Sequence, residues 1–406
     1  PVLANGAMEF VGFEDPRASQ GLVVDCTHPS ALQLTHHKGQ RTVPLDLRHN
    51  HMSSTDLVMN AIKEKHDILQ GLKYVSTNHF DIDSFVSVFS ALHPEFAQRH
   101  EALLREVARV GDFRELLITW PLEHKESLSL QALKVCCWLN TLERRLFYKP
   151  FGGQEPHENG KFDYFLPRFE RFVEDIESEK ADWEQEYALV LRGCEQVYGT
   201  ASDIEQDSTT GLIIICTPEP VHYYALFAPT RGFDLVLSLY QGQRYELEVK
   251  YTTYVDISNR SVRPRVELGT LVGVLNVLEQ RHRAVAEGCE TATKGQAGQA
   301  GTSEGYAVWG AQRITDSGPI LRLDIEGRKL NKEERYGHPY ERPIYSSQIP
   351  PAAFKKTVST YFRHAYANAG CVEHKQTWAW EELHQFNRDI RWTEWKATAL
   401  QEIAHA

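Results

Sequence analysis

A short β-branched run, Lys73 to Thr77, passes into a helix-like apolar run, Ser84 to Leu92, through a polar hinge that carries His79, Asp81 and Asp83. No other stretch restricts the fold as much. A strand that presents one imidazole and two carboxylates at its C-terminal tip belongs at the mouth of an α/β sheet, and that donor set suits a divalent cation. Further ligands must come from other strand ends of the same sheet.

Two such ends precede it. Gly21 to Asp25 reads as a buried strand closing on an acid, and Ala31 to Leu34 leads into Thr35-His36-His37-Lys38. Ser53-Ser54-Thr55-Asp56 is a cluster of N-cap residues ahead of a helix to about Lys65, with Leu57, Val58, Ala61 and Ile62 on its apolar face. Glu101 to Val110 reads as a helix stopped by Gly111, with Asp112 next. Residues 1–20 read as an irregular lead-in.

These patterns divide the chain into an α/β domain with a mostly parallel sheet over 1–114, a helical insertion or cap over 115–210, an α+β domain with a mostly antiparallel sheet over 211–349, and an aromatic helical tail over 350–406. In the third segment Leu212 to Cys216, Tyr223 to Phe227, Phe233 to Tyr240 and Arg244 to Lys250 read as strands, and Val266 to Arg283 as a helix. Residues 290–305 are a Gly/Ala/Thr/Gln stretch too poor in apolar groups to fold. The tail's Tyr361, Phe362, Trp378, Trp380, Trp392 and Trp395 read as packing residues.

With 42% hydrophobic and 24% charged residues the composition is that of a globular protein. The formal net charge of −11 disfavours long nucleic acid as a partner. Seven cysteines without a C-x-x-C pair indicate neither a zinc ribbon nor a disulfide framework, and fit a reducing, cytoplasmic location. No run is long and apolar enough for a membrane span.

The first 112 residues thus gather Asp25, His36, His37, His79, Asp81, Asp83 and Asp112. This set resembles the DHH phosphoesterase superfamily, which includes manganese-dependent pyrophosphatases, single-strand exonucleases and nanoRNases. His79-Phe80-Asp81-Ile82-Asp83 is similar to its His-x-Asp-x-Asp motif, Gly21 to Asp25 to its strand ending in a lone Asp, and His36-His37 with Ser53-Ser54-Thr55 to its namesake motif and helix cap. Gly111-Asp112 resembles its last acidic position. Thr35 stands where the namesake Asp would, and the motifs run in a circularly permuted order, which a sheet permits because ligand geometry follows strand position and not chain order. The Asn78 to Asp83 and Leu92-His93-Pro94-Glu95 runs are also similar to those of an uncharacterised bacterial and plant family.

The resemblance implies one or two divalent ions, manganese first and iron, zinc or magnesium as alternatives. Two ions about 3.5–4 Å apart need a bridging carboxylate. Asp25 is the expected bridge; His79 and Asp81 complete one position, Asp83 and His36 the other, and Asp112 closes whichever lacks a ligand. His37 is expected to position or protonate the departing oxygen. For the substrate's negative charge, Arg260, Arg263 and Arg265 could form a guanidinium clamp, with Lys38 and Arg41 nearer the ligands. The leading expectation is a two-metal phosphoesterase or phosphoanhydride hydrolase acting on a small anionic or nucleotide-like substrate. The alternatives are a biosynthetic metalloenzyme with a non-phosphate substrate, and a non-catalytic binding protein on the same fold; a homodimer is compatible with all three.

Overall fold

A computed structural model describes residues 8–37, 43–122, 126–147, 158–250, 255–287, 307–314, 319–331, 334, 337–368 and 378–405. The chain falls into two compact units. The first comprises 1–195, 223–231 and 254–262; the second comprises 196–222, 232–253 and 263–406. The helices over 128–195 thus belong to the same unit as the N-terminal sheet.

The first unit is built on a four-stranded, wholly parallel sheet of β1 (Glu9–Phe10), β2 (Leu22–Val24), β3 (Leu32–Leu34) and β4 (Tyr74–Ser76), in the order β1-β4-β2-β3. β1 corrects the expectation of an irregular lead-in: Glu9 and Phe10 pair with Tyr74 and Val75, too short a strand to announce itself by periodicity. All three residues of β2 are buried, as a strand covered on both faces requires. Around the sheet stand α1 (Ser54–Glu64), α2 (Ile82–Leu92), α3 (Pro94–Arg99) and α4 (Glu101–Phe113). α1 starts where Ser53 Oγ accepts the Asp56 N–H at 3.2 Å while the Asp56 carboxylate accepts from Ser53 N. α2 begins two residues earlier than its apolar run, because Asp81 caps it by accepting the Ser84 N–H at 2.8 Å.

Gly111 does not stop α4, which runs on to Phe113. Its role is close approach: a Cβ there would lie 2.4 Å from Ile82 Cβ, so the bare backbone lets α4 settle against α2. Beyond it, α5 (Leu128–Leu146) and α6 (Glu158–Glu174) close the core with aromatic rings. Trp138 stacks on Phe172 at 4.1 Å, and Phe169 meets Phe85 and Phe89 edge-on at 4.9 and 4.8 Å. α7 (Glu184–Tyr198) follows.

The second unit carries a six-stranded sheet of β5 (Asp203–Asp207), β6 (Leu212–Thr217), β7 (Leu235–Tyr240), β8 (Arg244–Val249), β9 (Ala307–Ala311) and β10 (Pro319–Ile325), ordered β5-β6-β7-β8-β10-β9. Every pairing is antiparallel except β6 with β7. The segment 223–227, read as a strand, is a helix, α8 (Tyr223–Phe227), which counts with the first unit. Its residues 224–227 are all buried, so no alternation distinguishes strand from helix there. Alternate residues Leu235, Leu237 and Leu239 of β7 and Tyr245, Leu247 and Val249 of β8 face a core shared with α9 (Gly269–Ala286) and α10 (Pro351–Asn368). α11 (Trp380–Asp389) and α12 (Trp392–His405) complete the unit; Tyr361 stacks on Trp392 at 4.4 Å, and Trp395 is buried. The low-complexity stretch 290–305 lies outside the described residues. Among the described residues no helix is long and apolar enough to cross a membrane.

Candidate metal centre

β4, β2 and β3 are neighbours in the sheet and parallel, so the loops that follow them leave from one edge. From β2 comes Asp25, in the left-handed region at φ 54°, a conformation Asp tolerates better than most residues. From β3 come His36 and His37, and from β4 come His79, Asp81 and Asp83. The three strand ends thus deliver their donors to one edge of the sheet.

Two sets of donors share Asp25. The inner set is Asp25, His36 and Asp83, all essentially buried. His36 Nε2 lies 3.4 Å from Asp25 Oδ1, 3.6 Å from Asp83 Oδ2 and 3.3 Å from Oδ2 of Asp112, which sits in the last turn of α4. The outer set is Asp25, His37 and His79, whose two rings are more than a third exposed. His37 Nε2 lies 3.2 Å from Asp25 Oδ1 and His79 Nε2 3.4 Å from Asp25 Oδ2. Asp81 lies beside this set: one oxygen caps α2 and the other stands 3.1 Å from His79 Nε2.

Hydrogen bonds outside the cluster fix the direction of each donor. His36 Nδ1 is 2.7 Å from the Met52 carbonyl, so Nδ1 carries the proton given to that oxygen and Nε2 turns inward. His79 Nδ1 meets Asn78 Oδ1 at 2.7 Å in the same way. Asp83 accepts the N–H groups of Ser54 and Thr55 at 2.7 and 2.9 Å, which anchors a buried carboxylate on the positive end of α1. Ser54 Oγ donates to Asp25 Oδ1 at 2.6 Å. Thr35 is wholly buried and its Oγ1 accepts the His37 N–H at 3.1 Å. Yet Oδ2 of Asp25 and Nε2 of His36, both buried, make no hydrogen bond to any described residue.

The electrostatics say the same. Burial alone would depress His36, but the Asp25 carboxylate against it and the charges of Asp112 and Asp83 push it up to about 10. His79 is likewise raised to about 12: burial works against it, and the charge of Asp81 with the facing Asp25 oxygen overcomes it. Burial, then the Asp25 charge, lifts Asp83 to about 7, and burial with the Asp83 charge lifts Asp112 well above an ordinary carboxylate. Asp25 goes the other way: burial raises it, but the charge of His37 and the facing His36, His37 and His79 rings hold it well below. Clustered carboxylates that hold His36 and His79 toward their protonated forms make a site that favours positive charge.

The expected arginine clamp does not hold together. Arg260, in the first unit, donates to the buried Glu115 carboxylate at 3.0 Å. Arg263 and Arg265, in the second unit, are committed to main-chain carbonyls, Arg263 to Ser208 and Arg265 to Ile314 and Lys250, and Arg265 is buried. Lys38 and Arg41 lie outside the described residues. Ser54 carries a helix-cap signature in the sequence, and no spacing marks it as a donor to Asp25.

Residues 6–371 match the sequence profile of DUF6687, described as a family of unknown function. No curated protein and no solved structure matches the chain.

Proposed function

We propose, for a chain that belongs to this family of unknown function, that it is a metal-dependent hydrolase of a phosphoester or phosphoanhydride, built on a permuted DHH-like site. One observation carries the reading: two donor sets share Asp25, and within them the buried Asp25 Oδ2 and His36 Nε2 have no hydrogen-bond partner among the described residues, although Asp25 Oδ1 and His36 Nδ1 are each anchored. The donor chemistry, imidazole with carboxylate oxygen, suits manganese, iron or zinc.

Asp25, His36 and Asp83, with Asp112 facing them, would hold one divalent ion; Asp25, His37 and His79, with Asp81 adjacent, would hold the other. Such a pair acts as Lewis acids that make a water nucleophilic at neutral pH and stabilise charge on both oxygens of an in-line displacement. The chain supplies the rest. The Met52 carbonyl and Asn78 hold the two ring Nδ1 protons outside the site, so that an ion displacing the Nε2 protons would meet both Nε2 atoms already turned inward. The greater exposure of His37 and His79 makes the outer set the side from which a small anionic substrate approaches. Because His37 falls among the donors of the outer set, its part as a proton donor is subordinate to holding an ion.

Elemental analysis of the full chain reconstituted with Mn2+, together with turnover of phosphomonoesters, phosphodiesters and phosphoanhydrides, tests this. The wild type is expected to hold up to two ions and cleave at least one class, and Asp25→Asn to lose both properties. A wild-type protein that retains no ion and turns over none of the panel overturns it.

A further inference from the structure

Residues 255–262 form a strap laid along the loops that carry the inner donors. Val255 pairs with His37 in an antiparallel bridge, the Asp256 N–H reaches the His36 carbonyl at 2.6 Å, and the Ser258 N–H reaches the His51 carbonyl at 3.1 Å. At its far end Arg260 donates through Nη2 to Glu115 at 3.0 Å, and Glu115 is wholly buried. Arg109 gives an N–H to the Glu115 carbonyl at 2.8 Å and pairs with Glu106 through Nε at 2.9 Å. The four charges alternate in sign from strap to helix, so the buried chain is neutral and each member is held by the next.

This chain grips the end of α4. The Arg260 guanidinium lies 5.9 Å from the centre of the Phe113 ring, and Phe113 meets His36 edge-on at 6.4 Å. Phe113 follows Asp112, whose carboxylate is 3.3 Å from His36 Nε2. The guanidinium is thus held on one side by the Glu115 carboxylate and on another by the Phe113 ring.

Resting on the metal reading above, we propose that Arg260 is a positioning residue for the inner ion: through Glu115 and Phe113 it fixes Asp112 and His36 at the separation that ion requires. It acts through Glu115 and Phe113, the groups it contacts. Residues that orient metal ligands from behind typically contribute ten- to a hundredfold to affinity.

The test is titration of the metal-free full chain with Mn2+, reading free Mn2+ by electron paramagnetic resonance, with thermal melts of the metal-free proteins alongside. Arg260→Ala is expected to weaken one of two binding events about ten- to a hundredfold and leave the other unchanged. Arg260→Lys, which keeps a charge beside Glu115, restores most of the loss. The double variant Arg260→Ala/Glu115→Gln, which leaves no unpaired buried charge to unfold the chain, shows the same selective weakening. If the wild type binds two ions and these variants match it, or if both events weaken together in step with the melting temperature, the inference falls and the metal reading stands. A wild type that binds no ion overturns both.

Discussion

Asp83 performs two tasks with one carboxylate. Its oxygens take the first N–H groups of α1, from Ser54 and Thr55, and one of them faces His36 at 3.6 Å. Asp83→Ala is therefore expected to destabilise even the metal-free protein, by about 1–3 kcal/mol for the stranded donors. Asp83→Asn keeps one accepting oxygen and should cost less, while removing a carboxylate from the proposed inner set. Urea denaturation of both variants without metal decides it: equal stability of Asp83→Ala and wild type would mean α1 does not lean on this side chain. Apart from Asp112, which lies in α4, the acids and imidazoles of the site were legible in the sequence because each comes shortly after a recognisable strand end. The partition among them was not. His37 follows His36 directly, and whether adjacent rings share one cluster depends on the path of the loop, here bent so that the rings meet edge-on at 5.0 Å.

Among the elements, α4 shows how a glycine can be misread. Gly111 has the signature of a helix stop, yet α4 continues through it, and the missing Cβ is what lets Ile82 come close. Gly111→Ala gains about 1 kcal/mol of helix propensity, and the overpacking against Ile82 costs about 1–3 kcal/mol. A net loss of stability is expected, with Asp112 carried away from His36. In an Ile82→Ala background the same change should cost less, a coupling that a double-mutant cycle by chemical denaturation measures. Strict additivity would show that the contact is not what selects glycine. Strand type was readable in β7 and β8, six-residue runs set apart by turn residues such as Gly232 and Gly242 although both are buried almost throughout; β1, two residues long, and α8, five residues and largely buried, offered too little pattern to read.

For the molecule as a whole, the first unit is discontinuous. Its sheet and helices come from residues up to 195, but 223–231 and 254–262 return to it after the chain has entered the second. A fragment of residues 1–195 would contain all the donors of both sets and lack the backbone that pairs with His36, His37 and His51, as well as Arg260 opposite the buried Glu115. Such a fragment is expected to be less stable than the same unit within the full chain, and to bind Mn2+ more weakly; circular dichroism and metal titration would show this, and wild-type behaviour of the fragment would contradict it. Composition shifts in the sequence marked where secondary structure changes character. They could not mark this return, since an eight-residue strap has no composition of its own.

The strap also sets a schedule. Every donor of the centre has been synthesised by residue 112, whereas Arg260 follows only after strands β5 to β8 of the second unit. At about 5–20 residues per second, the growing chain carries its cluster of acids and imidazoles unbraced for about 7–30 s. Assembly of the site is thereby tied to the progress of translation: the last piece of the first unit to leave the ribosome is the one that closes it.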